Sequence, residues 1–225
     1  MGEVELTLNG VYVKGSEGMT ILELAEENGI EIPTLCYLSD LTPTGSCRIC
    51  VVEVKGSRTL VASCHTPISR GMDVQTHSPK VIKARKAILE LVFADHSGDC
   101  LMCDKANICD LRKIAADLGM TLTRAKGKKH YYVPDEINPY IVRDMTKCIM
   151  CRRCVRACRE LKEEGVLGIV GRGFDSNVTV DTDQALEDVC KSCDVCVEVC
   201  PVGALTKKEE QFAGKKKGKP LLITG

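Results

Sequence analysis

The sequence predicts an α+β chain assembled from three small units, each gathered around cysteines, in place of one large core. Three observations carry this. The 225 residues include 15 cysteines. They contain no Trp, and aromatics make up only 4% of the chain, so few large rings are available to fill a big interior. The cysteines are also grouped: a dispersed set before residue 65, a compact set around residues 100–109, and two dense runs after residue 147. Small units with thin apolar cores draw folding free energy from bound metal.

The first unit is expected over residues 1–77. Val4, Leu6 and Leu8 alternate on one side of Asn9-Gly10, and Val11 and Val13 on the other. Asn-Gly between two alternating runs predicts a hairpin. Thr20 and Glu23 form a capping-box signature, and Ile21, Leu22, Leu24 and Ala25 follow on a helix that Gly29 ends. Pro33 keeps the chain out of helix. Two short strands are expected in CRICVVEV and TLVASC, around Lys55-Gly56-Ser57. Hairpin, helix and hairpin in this order predict a β-grasp sheet crossed by one helix. The unit carries Cys36, Cys47, Cys50 and Cys64 at spacings x10, x2 and x13. Plant-type 2Fe–2S ferredoxins also place four thiolates on a loop and a later strand around a tight C-x2-C, though their first gap is x4. The thiols here sit in the loop between Pro33 and Val51, beside Gly45, rather than on one strand face. That favours a 2Fe–2S cluster over zinc or buried free thiols. His65 and His77 read as surface residues.

The second unit, residues 78–119, opens with Ser78 as a cap and Pro79 at the first helical position. Val81, Ile82, Ile88, Leu89, Val92 and Phe93 form an apolar stripe at helical spacing, with Lys80, Lys83, Arg85 and Lys86 expected to face water. The helix runs into H-x3-C-x2-C-x5-C, that is His96, Cys100, Cys103 and Cys109. Three cysteines so close behind a helix-end histidine predict a 4Fe–4S site with one imidazole ligand. A zinc site of three cysteines and one histidine would use the same ligands. A neutral imidazole in place of a thiolate removes one negative charge, which by itself raises a cluster's potential. Residues 110–118 then predict a short helix ending at Gly119. Residues 120–137, with basic residues, tyrosines and Pro134, read as a linker in which His130 is a polar residue.

The third unit is expected over residues 138–207. CIMCRRCVRAC and CKSCDVCVEVCP both read C-x2-C-x2-C-x3-C. Two-residue gaps wrap three thiolates around one iron–sulfide cube, and the fourth thiolate points at the other cube. Cluster A would take Cys148, Cys151, Cys154 and Cys200; cluster B would take Cys190, Cys193, Cys196 and Cys158. Pro201 after Cys200 fits this pattern, whereas Arg159 follows Cys158. Structural zinc sites use separated pairs, and thiols this dense have poor geometry for local disulfides. Strands are expected at Leu167–Val170 and Asn177–Val180. Gly168, Gly171 and Gly173 lie in the order G-x-x-G-x-G outside any βαβ unit, so they form no dinucleotide fingerprint. Arg152, Arg153, Arg156 and Arg159 crowd the first run, and Glu187, Asp188, Asp194 and Glu198 surround the second. Cluster A is therefore expected at the higher potential. Residues 208–225 read as a basic, solvated tail.

Together the four ligand sets use all 15 cysteines and His96, which implies about 14 iron atoms per chain for one 2Fe–2S and three 4Fe–4S clusters. Net formal charge is zero and the pI is about 6.9, so nothing points to nucleic acid. The N-terminus carries no signal-peptide pattern and no apolar run is long enough to span a bilayer, so a reducing, cytoplasmic setting is expected.

The order of these motifs, with VIKARKAILELVFADHSGDCLMC and both tight runs, resembles an iron–sulfur module found in several enzymes. It is similar to the N-terminal part of iron-only hydrogenases and of the large iron–sulfur subunit of respiratory complex I. It is also similar to the diaphorase iron–sulfur subunit of soluble NAD-linked nickel–iron hydrogenases and to the head of NAD-dependent formate dehydrogenases. The resemblance covers residues 1 to about 207 and, with the chain ending at Gly225, points to the free-standing diaphorase type. It implies an electron-transfer subunit without its own catalytic machinery. FMN and NAD(P) would sit on a partner diaphorase subunit. A terminal catalytic subunit of hydrogenase or formate dehydrogenase type would be the second partner, with soluble ferredoxin a further exchange partner in an electron-bifurcating enzyme. The alternatives are service in a formate dehydrogenase or a complex I-like or transhydrogenase enzyme, and a truncated iron-only hydrogenase.

Overall fold

The computed structural model describes residues 2–96, 100–120, 130–135, 140–180, 190 and 193–208. Nearly all of the expected tail, most of the linker, and Glu187 and Asp188 lie outside these residues. Strands β1 (Glu3–Leu8) and β2 (Val11–Ser16) form the first hairpin. Asn9 and Gly10 take φ of 52° and 83° at its tip, the left-handed pair that a two-residue turn needs. Leu6, Leu8 and Val13 face inward, while Val11 stays 63% exposed. Helix α1 (Ile21–Glu27) starts at the expected capping box: Thr20 Oγ1 accepts from Glu23 N, and Thr20 N donates to Glu23 Oε2 at 2.7 Å. It ends with Gly29 at φ 70°, where Ile30 N donates to Ala25 O.

Strands β3 (Val51–Val54) and β4 (Val61–Ala62) pair antiparallel as expected. A further strand, β5 (Asp73–Gln75), was not foreseen; it runs parallel to β1 and antiparallel to β3. The sheet order β2-β1-β5-β3-β4 places this three-residue strand between the two hairpins and makes one sheet of them. Asn9 Nδ2 donates to Thr76 Oγ1, and Thr76 N donates to Asn9 Oδ1, both at 2.8 Å, which pins the register of β5. Helix α1 lies close on the sheet. A Cβ on Gly15 would come within 2.8 Å of Leu24 Cδ1 and Ile68 Cδ1. Leu6, Leu8, Ile21, Leu22, Leu24, Val52 and Val74 close the core between them, each worth about 1.5–3 kcal/mol of burial.

Helix α2 (Pro79–Asp95) is capped by Ser78 Oγ, which accepts from Val81 N, and has Pro79 in its first turn. Its buried line is Val81, Arg85 and Leu89. Arg85, expected in water, is 1% exposed. It stands one turn from each of its buried neighbours, so it occupies the stripe itself. Helix α3 (Asp110–Asp117) closes at Gly119, where Met120 N donates to Ala115 O. In the third unit, β6 (Ile141–Arg143) pairs antiparallel with β9 (Leu205–Lys207), and β7 (Leu167–Val170) pairs with β8 (Asn177–Val180). Helices α4 (Arg153–Glu160) and α5 (Val195–Glu198) carry the third cysteine of each run. The units are not independent. Leu35, Ile49, Leu89, Leu111, Ile114, Val202 and Ala204 belong to one buried cluster drawn from all three.

Candidate metal centres

In the first unit, Cys36, Cys50 and Cys64 are at most 1% exposed, and Cys47 is half-buried. The loop before β3 supplies the first three thiols, and a 3-10 turn after β4 (Ser63–His65) supplies Cys64. Arg48, inside the Cys47–Cys50 turn, has φ 59°, a left-handed conformation that costs a side chain about 1–2 kcal/mol. The Sγ atoms of Cys50 and Cys64 are 3.4 Å apart. Hydrogen bonding from Cys47 and Cys64 drives the Cys36 thiol far down, and bonding from Cys64 lowers Cys50 to about 6. Cys47 and Cys64 move up, chiefly through their bonds to Cys36. Four sulfurs therefore share one hydrogen-bonded network, a donor set suited to two irons. His65 and His77 are exposed.

His96 caps the C-terminus of α2, donates its backbone N–H to Val92 O at 3.0 Å, and is 7% exposed. Phe93 meets its ring edge-on, with centroids 6.2 Å apart. Cys100 opens a 3-10 turn (Cys100–Met102), and Cys109 stands at the N-terminus of α3. One cavity is lined by His96, Cys100, Cys103 and Cys109, together with Lys147 and Gly203 from the third unit. Burial pushes the Cys109 thiol up, against the pull of the Arg112 and Leu111 amides. Gly203 forms the far wall: a Cβ there would sit 2.6 Å from Cys103 Sγ.

The two runs of the third unit each surround a cavity. Cys148, Cys151, Cys154 and Cys200 line one. Cys158, Cys190, Cys193 and Cys196 line the other. Each run thus sends its fourth cysteine to its neighbour's cavity. Arg152 and Asp194, each directly after the second cysteine of its run, are left-handed at φ 62° and 57°. Burial pushes Cys148 to about 12, Cys151 to about 11 and Cys196 to about 12, and Cys154 well up. Thiols in such apolar surroundings ionise only against strong positive charge, which iron supplies.

The arginines of the first run do not all face the cavity of Cys148, Cys151, Cys154 and Cys200. Arg153 Nη1 donates to Asp110 Oδ2 at 3.1 Å and its Nη2 to Tyr37 O at 2.9 Å. Arg156 donates to the carbonyls of Thr42 and Cys36. Both side chains therefore reach the loop of the first unit, although Arg153 still favours the Cys151 thiolate. Cys36 and Cys151 repel each other electrostatically, so the two donor sets are neighbours. Lys105 Nζ donates to Val197 O at 2.7 Å, and Asp110 N to Pro201 O at 3.0 Å, tying the second unit to the third. His130, read as a polar residue of the linker, packs its ring on Phe174 at 4.0 Å and lies 3.2 Å from Asp95 Oδ1. Sequence reasoning missed Arg85 and Gly203 as neighbours of these centres, and it placed Arg153 and Arg156 by the first run without their reach to the first unit. Only Arg85 carried a signal, its place in the 81–85–89 line.

No helix among the described residues is long and apolar enough to cross a membrane. Residues 2–79 match the 2Fe-2S iron-sulfur cluster binding domain. Residues 85–124 match the NADH-ubiquinone oxidoreductase-G iron-sulfur binding region. Residues 138–206 match the ferredoxin-like domain of NADH-quinone oxidoreductase subunit 3. The chain is 42% identical over 215 residues to the NADP-reducing hydrogenase subunit HndD of Solidesulfovibrio fructosivorans, covering 93% of this chain and 37% of that protein. It is 38% identical over 216 residues to the NADH-ubiquinone oxidoreductase 75 kDa subunit of Reclinomonas americana, covering 94% of this chain and 30% of that protein. The chain thus spans about two fifths or less of these curated relatives. A chain in the crystal structure of an NAD+-reducing NiFe hydrogenase in the H2-reduced state superposes with a TM-score of 0.84 at 33% identity, over 91% of this chain and 87% of that one.

Proposed function

Because the chain belongs to the family of iron–sulfur modules shared by NAD(P)-linked hydrogenases and the 75 kDa component of NADH-ubiquinone oxidoreductase, we propose that it relays single electrons through one 2Fe–2S and three 4Fe–4S clusters. The first unit is read as a β-grasp ferredoxin domain holding the 2Fe–2S cluster on Cys36, Cys47, Cys50 and Cys64. The second holds a 4Fe–4S cluster on His96, Cys100, Cys103 and Cys109. The third holds cluster A on Cys148, Cys151, Cys154 and Cys200, and cluster B on Cys190, Cys193, Cys196 and Cys158. When bound, these groups supply one-electron redox chemistry. The polypeptide binds them, excludes water from Cys151, Cys154, Cys158 and Cys196, which are all at most 9% exposed, and fixes the separation of neighbouring sets. The observation that carries the reading is the sorting of ligands. Three sets each ring a cavity of their own, and the fourth shares one hydrogen-bonded sulfur network.

By analogy with the relatives, one partner is a flavoprotein that binds FMN and NAD(P), and the other carries terminal hydrogenase-type chemistry, with ferredoxin exchange in a bifurcating assembly. The test is anaerobic purification with analysis of metal, acid-labile sulfide and paramagnetic signals. About 14 irons per chain and four reducible centres are expected, with no hydrogen evolution by the chain alone. Zinc in place of iron, or colourless protein without a signal after dithionite, would overturn the reading. A flavin-containing subunit that co-purifies identifies the electron donor side.

A further inference from the structure

Two guanidiniums are buried beside the first donor set with no carboxylate partner among the described residues. Arg85 on α2 is 1% exposed and donates its Nη2 to Val51 O at 2.9 Å, the carbonyl next to Cys50. Arg156 on α4 is 9% exposed and donates to the carbonyls of Cys36 and Thr42. The Nε atoms of both have no hydrogen-bond partner among the described residues. Nearby Arg153, equally buried, is by contrast paired with Asp110. A buried cation held only by neutral carbonyls is costly unless an anion faces it. Arg85 thus reaches the carbonyl beside Cys50 and Arg156 that of Cys36, so both guanidiniums lie against the backbone that carries the first donor set.

We propose that Arg85 and Arg156 are the counter-charges of the 2Fe–2S centre: two cations, from elements outside its sheet, that raise its reduction potential and, through Arg156, make that potential depend on the docking of the two-cluster unit. This rests on the ligand assignment above. Four thiolates on two ferric irons and two sulfides leave a net negative group. Reduction adds one electron and one further negative charge, with no bond made or broken. Fixed positive charge favours the reduced state, so its loss shifts the centre down. Arg156 belongs to the first tight run and leaves through α4, so undocking that helix removes one of the two charges.

The test is a dithionite titration of the full chain, followed through the paramagnetic signal of the reduced 2Fe–2S centre. Variants R85Q, R156Q and R156K are compared with R70Q, which changes an exposed arginine of the same unit. R85Q and R156Q are each expected to weaken reduction about tenfold, which for a one-electron couple is about 59 mV. R70Q leaves the potential in place. R156K keeps the charge but loses the two-pronged hydrogen bond, so it stays near the parent value. If R156K falls as far as R156Q, Arg156 acts by bracing the loop and the counter-charge role is overturned. An unmoved potential in R156Q, with the 2Fe–2S signal intact, overturns it as well. Should R85Q fail to incorporate the cluster, R85K decides for that residue: a parent-like potential supports the role, and a shift as large as that expected for R85Q overturns it. A parent chain with no 2Fe–2S signal would defeat the ligand assignment instead.

Discussion

Residues 2–77 and residues 140–208 both enclose cysteines, but their interiors are built from different material. The first has a five-stranded sheet, a capped helix and a core of Leu6, Leu8, Leu22, Leu24, Val52 and Val74, with Cys50 and Cys64 at its border. Among the described residues, the second has only two-stranded sheets. Its core counts Cys154 and Cys196 among its few buried members, beside Ile141, Met145, Val155, Val178, Val197 and Leu205. Two-stranded sheets are marginal alone. In the N-terminal unit ordinary packing presents the thiols. In the C-terminal unit, metal has to stand in for the packing that is missing.

Iron removal should break the comparison most openly. After anaerobic chelation, amides of β6–β9 and α4 are expected to lose hydrogen-exchange protection, while those of β1, β2 and α1 keep theirs; equal loss in both would refute the contrast. Next come single ligands. Cys154→Ser should cost the four irons of cluster A, leaving about 10 of 14, and expose α4 to protease. Cys64→Ser should leave about 12 irons and an intact sheet by circular dichroism. Crossed ligation sharpens the picture within the second region. Cys200→Ser is expected to abolish the cluster A signal and spare B, and Cys158→Ser to do the reverse, with Mössbauer or paramagnetic spectra as the readout. Gly203→Ala forces a methyl to within 2.6 Å of Cys103 Sγ. It should cost about 1–3 kcal/mol of overpacking, seen as a lowered melting point and loss of the histidine-ligated cluster. The smallest effect is Arg152→Gly. Relief of the left-handed φ of 62° should raise stability in urea melts by no more than ~1 kcal/mol.

How much of this was legible from the sequence varied with the range of the forces involved. Asn9-Gly10, the Thr20–Glu23 box, Ser78-Pro79 and Gly119 act within a few residues, so their hairpin, caps and stops could be read directly. The grouping of cysteines along the chain was legible because spacing is local too, and Cys158 and Cys200 line the cavity of the other run. β5 was not: a three-residue strand has no room for a periodic pattern, and its place is fixed by Asn9, which binds Thr76 from the far end of the unit. Arg85 was assigned to water by its charge, although its spacing from Val81 and Leu89 put it in the buried line. The reach of Arg153 and Arg156 to Tyr37, Cys36 and Thr42 depends on how distant stretches dock, which no local pattern encodes. The expectation that four arginines raise cluster A was built on adjacency in sequence, and two of the four spend their donors elsewhere.

The glycine wall has a consequence for how the molecule is made. His96, Cys100, Cys103 and Cys109 leave the ribosome early, but the cavity that they line is closed by Lys147 and Gly203. A nascent chain that has not yet delivered Gly203 offers these four donors on an open face, so the second motif in reading order is among the last to be sealed.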